Sequence, residues 1–306
     1  MKRIALLLIA ALAFTSCYRG VPDCKPGTVD WPRCDDITQP EGPRFGASLI
    51  CPRGTGRMLS GLRPGLRSGV CSYQSSFAPN QISQGGSTGS ALLKLWLRAD
   101  RGITKAGGVV SQWDDQSGNG NHVTQGTVGL RPAFVASALG GLPGVLSAVT
   151  KSLNSTTEPI AASAARTIFI VLKPGSTTST YPYSCRSTTG YSLTFGTSLA
   201  TIETNNTSTN SFIPSAPTGG VSYIFETSFD GVQTNLMTAR LNGASQLVTN
   251  GVGVGVGAES GADLLSVVNG FDAPVSEILV YNVVLNSGNA TMVRRDLGGR
   301  YGIAVP

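Results

Sequence analysis

From Ala91 to the C-terminus, apolar and polar residues follow the two-residue period of β-strands, whereas residues 18–90 show no sustained period. Arg166 to Lys173 (RTIFIVLK) is a nearly continuous apolar run with the length and β-branched content of a buried strand. In the next clear strand Val221, Tyr223, Phe225, Thr227 and Phe229 share one face, while Ser222, Glu226 and Ser228 share the other. Asp230-Gly231 marks a tight hairpin after it, with Met237, Ala239 and Leu241 pointing inward on the return strand. Asn242-Gly243 marks a second hairpin, because both residues accept the positive φ that such turns need. Short strands joined in this way predict an antiparallel sandwich. Ala290, Val293 and Leu297 recur at helical spacing, predicting one short C-terminal helix capped by Ser287. Gly298-Gly299 would weaken further turns by about 0.5–1 kcal/mol each, so the helix is expected to stop there. Connections at 175–181, 205–220 and 249–263 read as exposed loops, the last holding Gly251 to Gly257 with Val at every second position.

The start of the chain has a different pattern. Lys2 and Arg3 precede Ile4 to Phe14, an apolar run well short of the ~20 residues that span a bilayer. Residues 1–17 therefore read as a signal peptide. Cys17 directly follows the run, as the lipidated cysteine of a bacterial lipobox does, although Phe14 stands where Leu is usual. Ala11-Leu12-Ala13 offers the rival, ordinary cleavage site. The favoured reading is an exported lipoprotein of the cell envelope, facing outward from an outer membrane.

Residues 18–90 are rich in Pro, Gly, Ser and Arg, and carry Cys24, Cys34, Cys51 and Cys71. An exported compartment permits disulfides, and four cysteines allow three pairings that sequence does not separate. These cysteines are expected to staple an irregular stalk, with Ser75 to Ser90 as a flexible hinge into a single domain at 91–306. Cys185 lies apart from them, as a small buried hydrophobe or as a clamp to the stalk.

Four segments carry a family resemblance: LWLRAD (Leu95 to Asp100), QWDDQSGNGNH (Gln112 to His122), SEILVYN (Ser276 to Asn282) and RRDLGGRYGI (Arg294 to Ile303). Their order and spacing resemble the concanavalin A-like, laminin-G-like jelly-roll module of secreted bacterial proteins. The resemblance implies an all-β jelly-roll sandwich in which LWLRAD and SEILVYN are neighbouring strands, with Trp96 and Leu279 in the core. It also implies a structural calcium held by loop oxygens, for which Asp114, Asp115, Asn119 and Asp272 are the candidates. One departure weakens that set: Pro274 stands where many members carry an acid. Turn hydrogen bonds or ion pairs are the favoured role for these acids.

Charge and chemistry narrow the function. The net charge of +6 is concentrated outside the sandwich, where residues 91–306 hold 13 Lys/Arg against 12 Asp/Glu. A nucleic-acid reader needs a concentrated basic face, and none is visible there. Catalytic relatives resemble a strand bearing Glu-x-Asp-x-x-Glu, and the nearest pattern is Glu226-x-Ser228-x-Asp230. Its outer pair is ~14 Å apart on one strand, too far for paired glycosidase carboxylates. His122 is the sole histidine and has no nucleophile-elbow motif with it. A non-catalytic module binding a polysaccharide or a surface protein is the leading expectation. Tyr181, Tyr183, Tyr191, Asn205, Asn206 and Phe212 are its candidate ligand contacts, aromatic platforms and amides beside polar loops. The rivals are an adhesive surface protein without a small-molecule site and a hydrolase with unrecognised carboxylates.

Overall fold

The computed structural model describes residues 77–148, 150–160, 164–174, 180–186, 190–195, 200–204, 208–212, 219–231, 237–246, 248–249 and 265–306, with short strands at Ala47–Leu49 and Tyr73–Ser75. For the strands between residues 190 and 212, and for 248–249, the description is of the backbone path. The signal segment with Cys17, the cysteines Cys24, Cys34, Cys51 and Cys71, the amides Asn205 and Asn206, and the stretch 251–257 lie outside the described residues.

The larger of two compact units holds Tyr73–Pro306. Its main strands are β1 (Leu93–Arg98), β2 (Ile103–Ala106), β3 (Val109–Trp113), β4 (Ala133–Leu139), β5 (Leu142–Leu146), β6 (Arg166–Leu172) and β7 (Thr180–Arg186). They continue as β8 (Gly190–Phe195), β9 (Ala200–Thr204), β10 (Ser208–Phe212), β11 (Tyr223–Phe229), β12 (Thr238–Leu241), β13 (Leu265–Asn269) and β14 (Pro274–Tyr281), before the helix α1 (Ser287–Tyr301). One sheet runs β1–β14–β6–β11–β12, with the β4–β5 hairpin beside the start of β14. The other runs from β2 and β3 through Val123–Thr124 and Leu153–Asn154 to β13, β7, β8, β9 and β10. These pairings are antiparallel, and Val109↔Ala133 joins the two sheets along one edge. This unit is an antiparallel β-sandwich with a C-terminal helix, as the hairpin pattern predicts.

The first sheet is covered on both faces, and this explains the unbroken apolar run of β6. Ile168, Ile170 and Leu172 meet Trp113, Leu153, Cys185 and Val267 between the sheets. Phe169 and Val171 face the other way, against Leu93, Leu279 and Tyr281 and the helix residues Ala290, Val293 and Leu297. Each fully buried aliphatic or aromatic side chain contributes about 1.5–3 kcal/mol. LWLRAD and SEILVYN pair directly, Leu97 with Ile278 and Trp96 with Leu279. Both members of the second pair are buried, as the resemblance implies.

Three local expectations are corrected. The first hairpin is longer than Asp230-Gly231, since the last paired positions are Ser228 and Thr238. Asn242-Gly243, by contrast, is a two-residue turn with φ of +50° and +86°, closing Leu241 onto Ala244. The helix starts after Asn286, whose Oδ1 accepts from the Asn289 N–H at 2.9 Å, and runs through both glycines to Tyr301. Gly302 at φ +66° ends it. Gly298 is needed for packing rather than termination. A Cβ there would lie 2.7 Å from the Ile303 carbonyl oxygen as the tail folds back.

The expected hinge is packed structure from Phe77 onward. Gly85-Gly86, at φ +60° and +79°, forms the turn of a small hairpin between Ser83–Gln84 and Ser87–Thr88. Ile82 is 1% exposed in the helix-side core, and the Tyr281 hydroxyl donates to the Pro79 carbonyl at 3.0 Å. The glycines read as a linker by composition, yet they serve a turn.

Candidate functional site

The QWDDQSGNGNH segment folds around one carboxylate. Asp115 Oδ1 accepts the backbone N–H groups of Trp96 and Ser117, each at 2.9 Å. Its Oδ2 accepts from the Ser117 hydroxyl at 2.8 Å and the Asn121 N–H at 3.0 Å. Asn119 Nδ2 and Asn121 Nδ2 donate to the Leu93 and Lys94 carbonyls, each at 2.8 Å. The turn thus satisfies the free edge of β1, which strand pairing leaves open there. His122 Nδ1 accepts the Asp115 N–H at 3.0 Å, which makes the imidazole part of the same turn.

This geometry does not fit calcium. Four donors converge on Asp115, presenting it with positive dipole ends where a cation would need free oxygen. Asp114 Oδ1 accepts from Gln112 Nε2 at 2.6 Å, and the amide nitrogen of Asn119 donates to the Leu93 carbonyl and the Ser117 hydroxyl. Among the described residues no three acidic, histidine or cysteine side chains come within reach of one ion. Asp272 lies elsewhere, in the groove described below. The proposed calcium set is not assembled, because turn hydrogen bonds consume its central member.

The acids that a search for catalytic pairs would pick are held under α1. Glu226 on β11 pairs with Arg294, and lies 4.0 Å from Arg240. Burial raises its pKa above the usual carboxylate range, and Arg294 and Arg240 partly offset that rise. Glu277 on β14 has no exposed surface. It accepts from Trp96 Nε1 at 2.7 Å, from Arg300 Nη1 at 2.6 and 2.7 Å, and from the Tyr301 hydroxyl at 2.9 Å. Arg300 also pairs with Asp296, one turn earlier in the helix. Burial pushes the Asp296 carboxyl up to about 6; Arg300 opposes this and the Glu277 charge reinforces it. The arrangement locks helix to sheet. Sequence reading missed it, although Arg294, Asp296 and Arg300 fall within one helical stretch.

An open concave feature among the described residues is a groove of about 520 Å³ beside the β4–β5 hairpin. Val135, Leu146 and Pro274 give it apolar surface, and Ser137, Lys173 and Asp272 give it polar groups. Gly219 and Gly220 close one side. Its size falls within the range of roughly 300–1,000 Å³ typical of small-ligand sites.

None of the predicted aromatic contacts is among the described residues that line this groove. Tyr183 has no exposed surface and packs between the sheets, its hydroxyl 3.2 Å from the Cys185 sulfur. It is a core residue and cannot present a ring to a ligand. Tyr181 sits opposite Asn269, Tyr191 opposite Cys185, and Phe212 opposite Ala200 and Val248, and their side chains lie outside the description. The groove residues went unpredicted, apart from Asp272. They belong to β4, to the end of β5, to the segment after β6, to the turn into β14 and to the loop before β11, so no local spacing links them.

No family model and no curated protein matches the chain. Among solved structures, the binding domain of Paraclostridial Mosquitocidal Protein 1 aligns with a TM-score of 0.51 at 10% identity, over 67% of this chain and 52% of that one. A botulinum neurotoxin type C structure gives 0.47 at 11% identity, over 67% and 51%. An arabinofuranosidase complexed with arabinofuranosyl-alpha-1,2-xylobiose gives 0.46 at 12%, over 63% and 51%. The chain therefore spans about half the length of these structures. At such identity the likeness is one of fold.

Proposed function

We propose that this chain is an exported, non-catalytic binding module that takes a carbohydrate in the groove beside β4 and β5. The carrying observation is the groove itself: an open hollow with apolar walls and three polar side chains, of a size suited to a small ligand or one or two sugar rings. The engagement of Glu226, Glu277 and Asp296 with arginines supports a non-catalytic role, since these acids serve the helix interface. The sandwich is read as a laminin-G-like jelly roll. The solved neighbour at TM-score 0.51 is a binding domain, which accords with the same class. The module is carried outward from an envelope membrane by a lipid on Cys17, through a stalk in which Cys24, Cys34, Cys51 and Cys71 are oxidised.

The deciding experiment measures binding of the purified chain to a panel of polysaccharides, alongside an assay for released reducing ends. Retention on at least one glycan without release supports the proposal. Release of reducing ends overturns the non-catalytic reading, and binding to none of the glycans overturns the carbohydrate reading. Changing Cys17 to Ala should shift the protein out of the membrane fraction, because stable attachment needs the acyl chains. A wild-type protein already found soluble would end the lipoprotein reading.

A further inference from the structure

We infer that the groove selects an anionic sugar, one bearing a carboxylate or a sulfate, and that Lys173 is the group that reads it. This rests on the groove being the carbohydrate site. Lys173 lies just beyond β6 and lines the groove, and its backbone N–H donates to the Pro274 carbonyl at 3.1 Å. That bond ties the Lys173 backbone to the start of the neighbouring strand β14. The stem passes over Gly220, where an added Cβ would stand 4.0 Å from Lys173 Cε. Lys173 and Gly220 thus line the groove side by side.

Among the described residues, no hydrogen bond or ion pair engages the Lys173 ammonium, whereas Asp272, the acid of the same groove, already has an interaction within the protein. In the groove, an ammonium that no described residue engages therefore stands among apolar walls, beside an acid that has an interaction of its own. A cation in such a partly dry setting favours an anion over a neutral hydroxyl, because a charge-assisted bond is roughly twice as strong as a neutral one. The remaining polar group, Ser137, suits the sugar's hydroxyls. A point charge such as lysine does not demand the bidentate geometry that arginine prefers, so carboxylate and sulfate are both accepted.

The test uses the full exported chain and three polymers: polygalacturonate, dextran sulfate and neutral dextran. Affinity is read by titration calorimetry at two salt concentrations. Wild type should hold at least one anionic polymer more tightly than dextran, and added salt should weaken it. Lys173→Met should lower that affinity by about tenfold, with Lys173→Arg restoring part of it. Ser137→Trp, at an exposed strand position, fills the groove and should abolish binding while the fold is retained. Preference for polygalacturonate assigns the carboxylate, and preference for dextran sulfate assigns the sulfate. Equal binding of dextran and both anionic polymers, unchanged in Lys173→Met, overturns the anionic reading while leaving the binding module intact. Anionic binding that survives Ser137→Trp places the site elsewhere and overturns this inference. Absence of binding to all three polymers and to every other glycan overturns the functional reading beneath it.

Discussion

Four donors aimed at one side chain decide what Asp115 does. A buried carboxylate is retained only when hydrogen bonds replace its lost water, and here the Trp96, Ser117 and Asn121 backbone groups and the Ser117 hydroxyl do so. Asp115→Ala would strand these donors and free the turn from β1. The expected cost is about 3 kcal/mol in urea unfolding, with a smaller loss in Asp115→Asn, which keeps one acceptor oxygen. An Ala variant as stable as wild type would mean the turn is solvated rather than held. The sequence exposed the acid and the turn-forming Asn and Gly residues around it, but not its partners. Trp96 lies on a different strand, and no spacing rule brings its N–H to the turn. Tyr183 was misread for a related reason. It shares a core face with Cys185 and stands opposite Leu193, and that apolar context was the available sign that the ring points inward.

At the scale of elements, α1 is bound to the sheet by apolar packing and by buried ions. Its apolar spacing was legible, but its end was not, because glycine propensity was weighed without the tail that packs against Gly298. Arg300 answers Glu277, which has no exposed surface. Arg300→Met should therefore cost about 3–5 kcal/mol by leaving a buried charge unpaired, and adding Glu277→Gln should recover part of that loss. Thermal unfolding of the single and double variants checks this, and additive losses would deny the coupling. Asp296 brings a pH dependence of defined sign. Its carboxyl is raised from 3.8 to about 6 in the folded chain, so its contribution to stability is fully present below about pH 3.8 and is lost as pH rises through 6. Asp296→Asn mimics the protonated form, and its stability relative to wild type should rise between pH 4 and 7. A relative stability that falls over that range would show that the Arg300 pairing outweighs burial.

Over the whole molecule, alternation and hairpin signals revealed the sandwich, while the extent of the folded unit and the groove stayed hidden. Both depend on contacts between distant segments: Pro79 with Tyr281, Gln84 with Asn286, and Lys173 with Pro274. The stretch before Ala91 looks like a linker because it is rich in Gly and Ser, yet it covers the helix-side core and bonds to the start of α1. Asn289 Nδ2 donates to the Ser83 carbonyl at 3.0 Å, and the Asn286 N–H to Gln84 Oε1 at 2.8 Å. A chain starting at Ala91 therefore loses the Ile82 side chain from the core and strands the Tyr281 hydroxyl. Compared with a chain starting at Tyr73, it should unfold with about 3–5 kcal/mol less stability, from one buried aliphatic side chain and a few hydrogen bonds. Ile82→Ala in the longer chain should reproduce about 2–5 kcal/mol of loss without altering any covalent boundary, which separates packing from a general effect of truncation. Matching denaturation midpoints for the two chain lengths would return residues 77–90 to the role of a linker and place the start of the sandwich at Ala91.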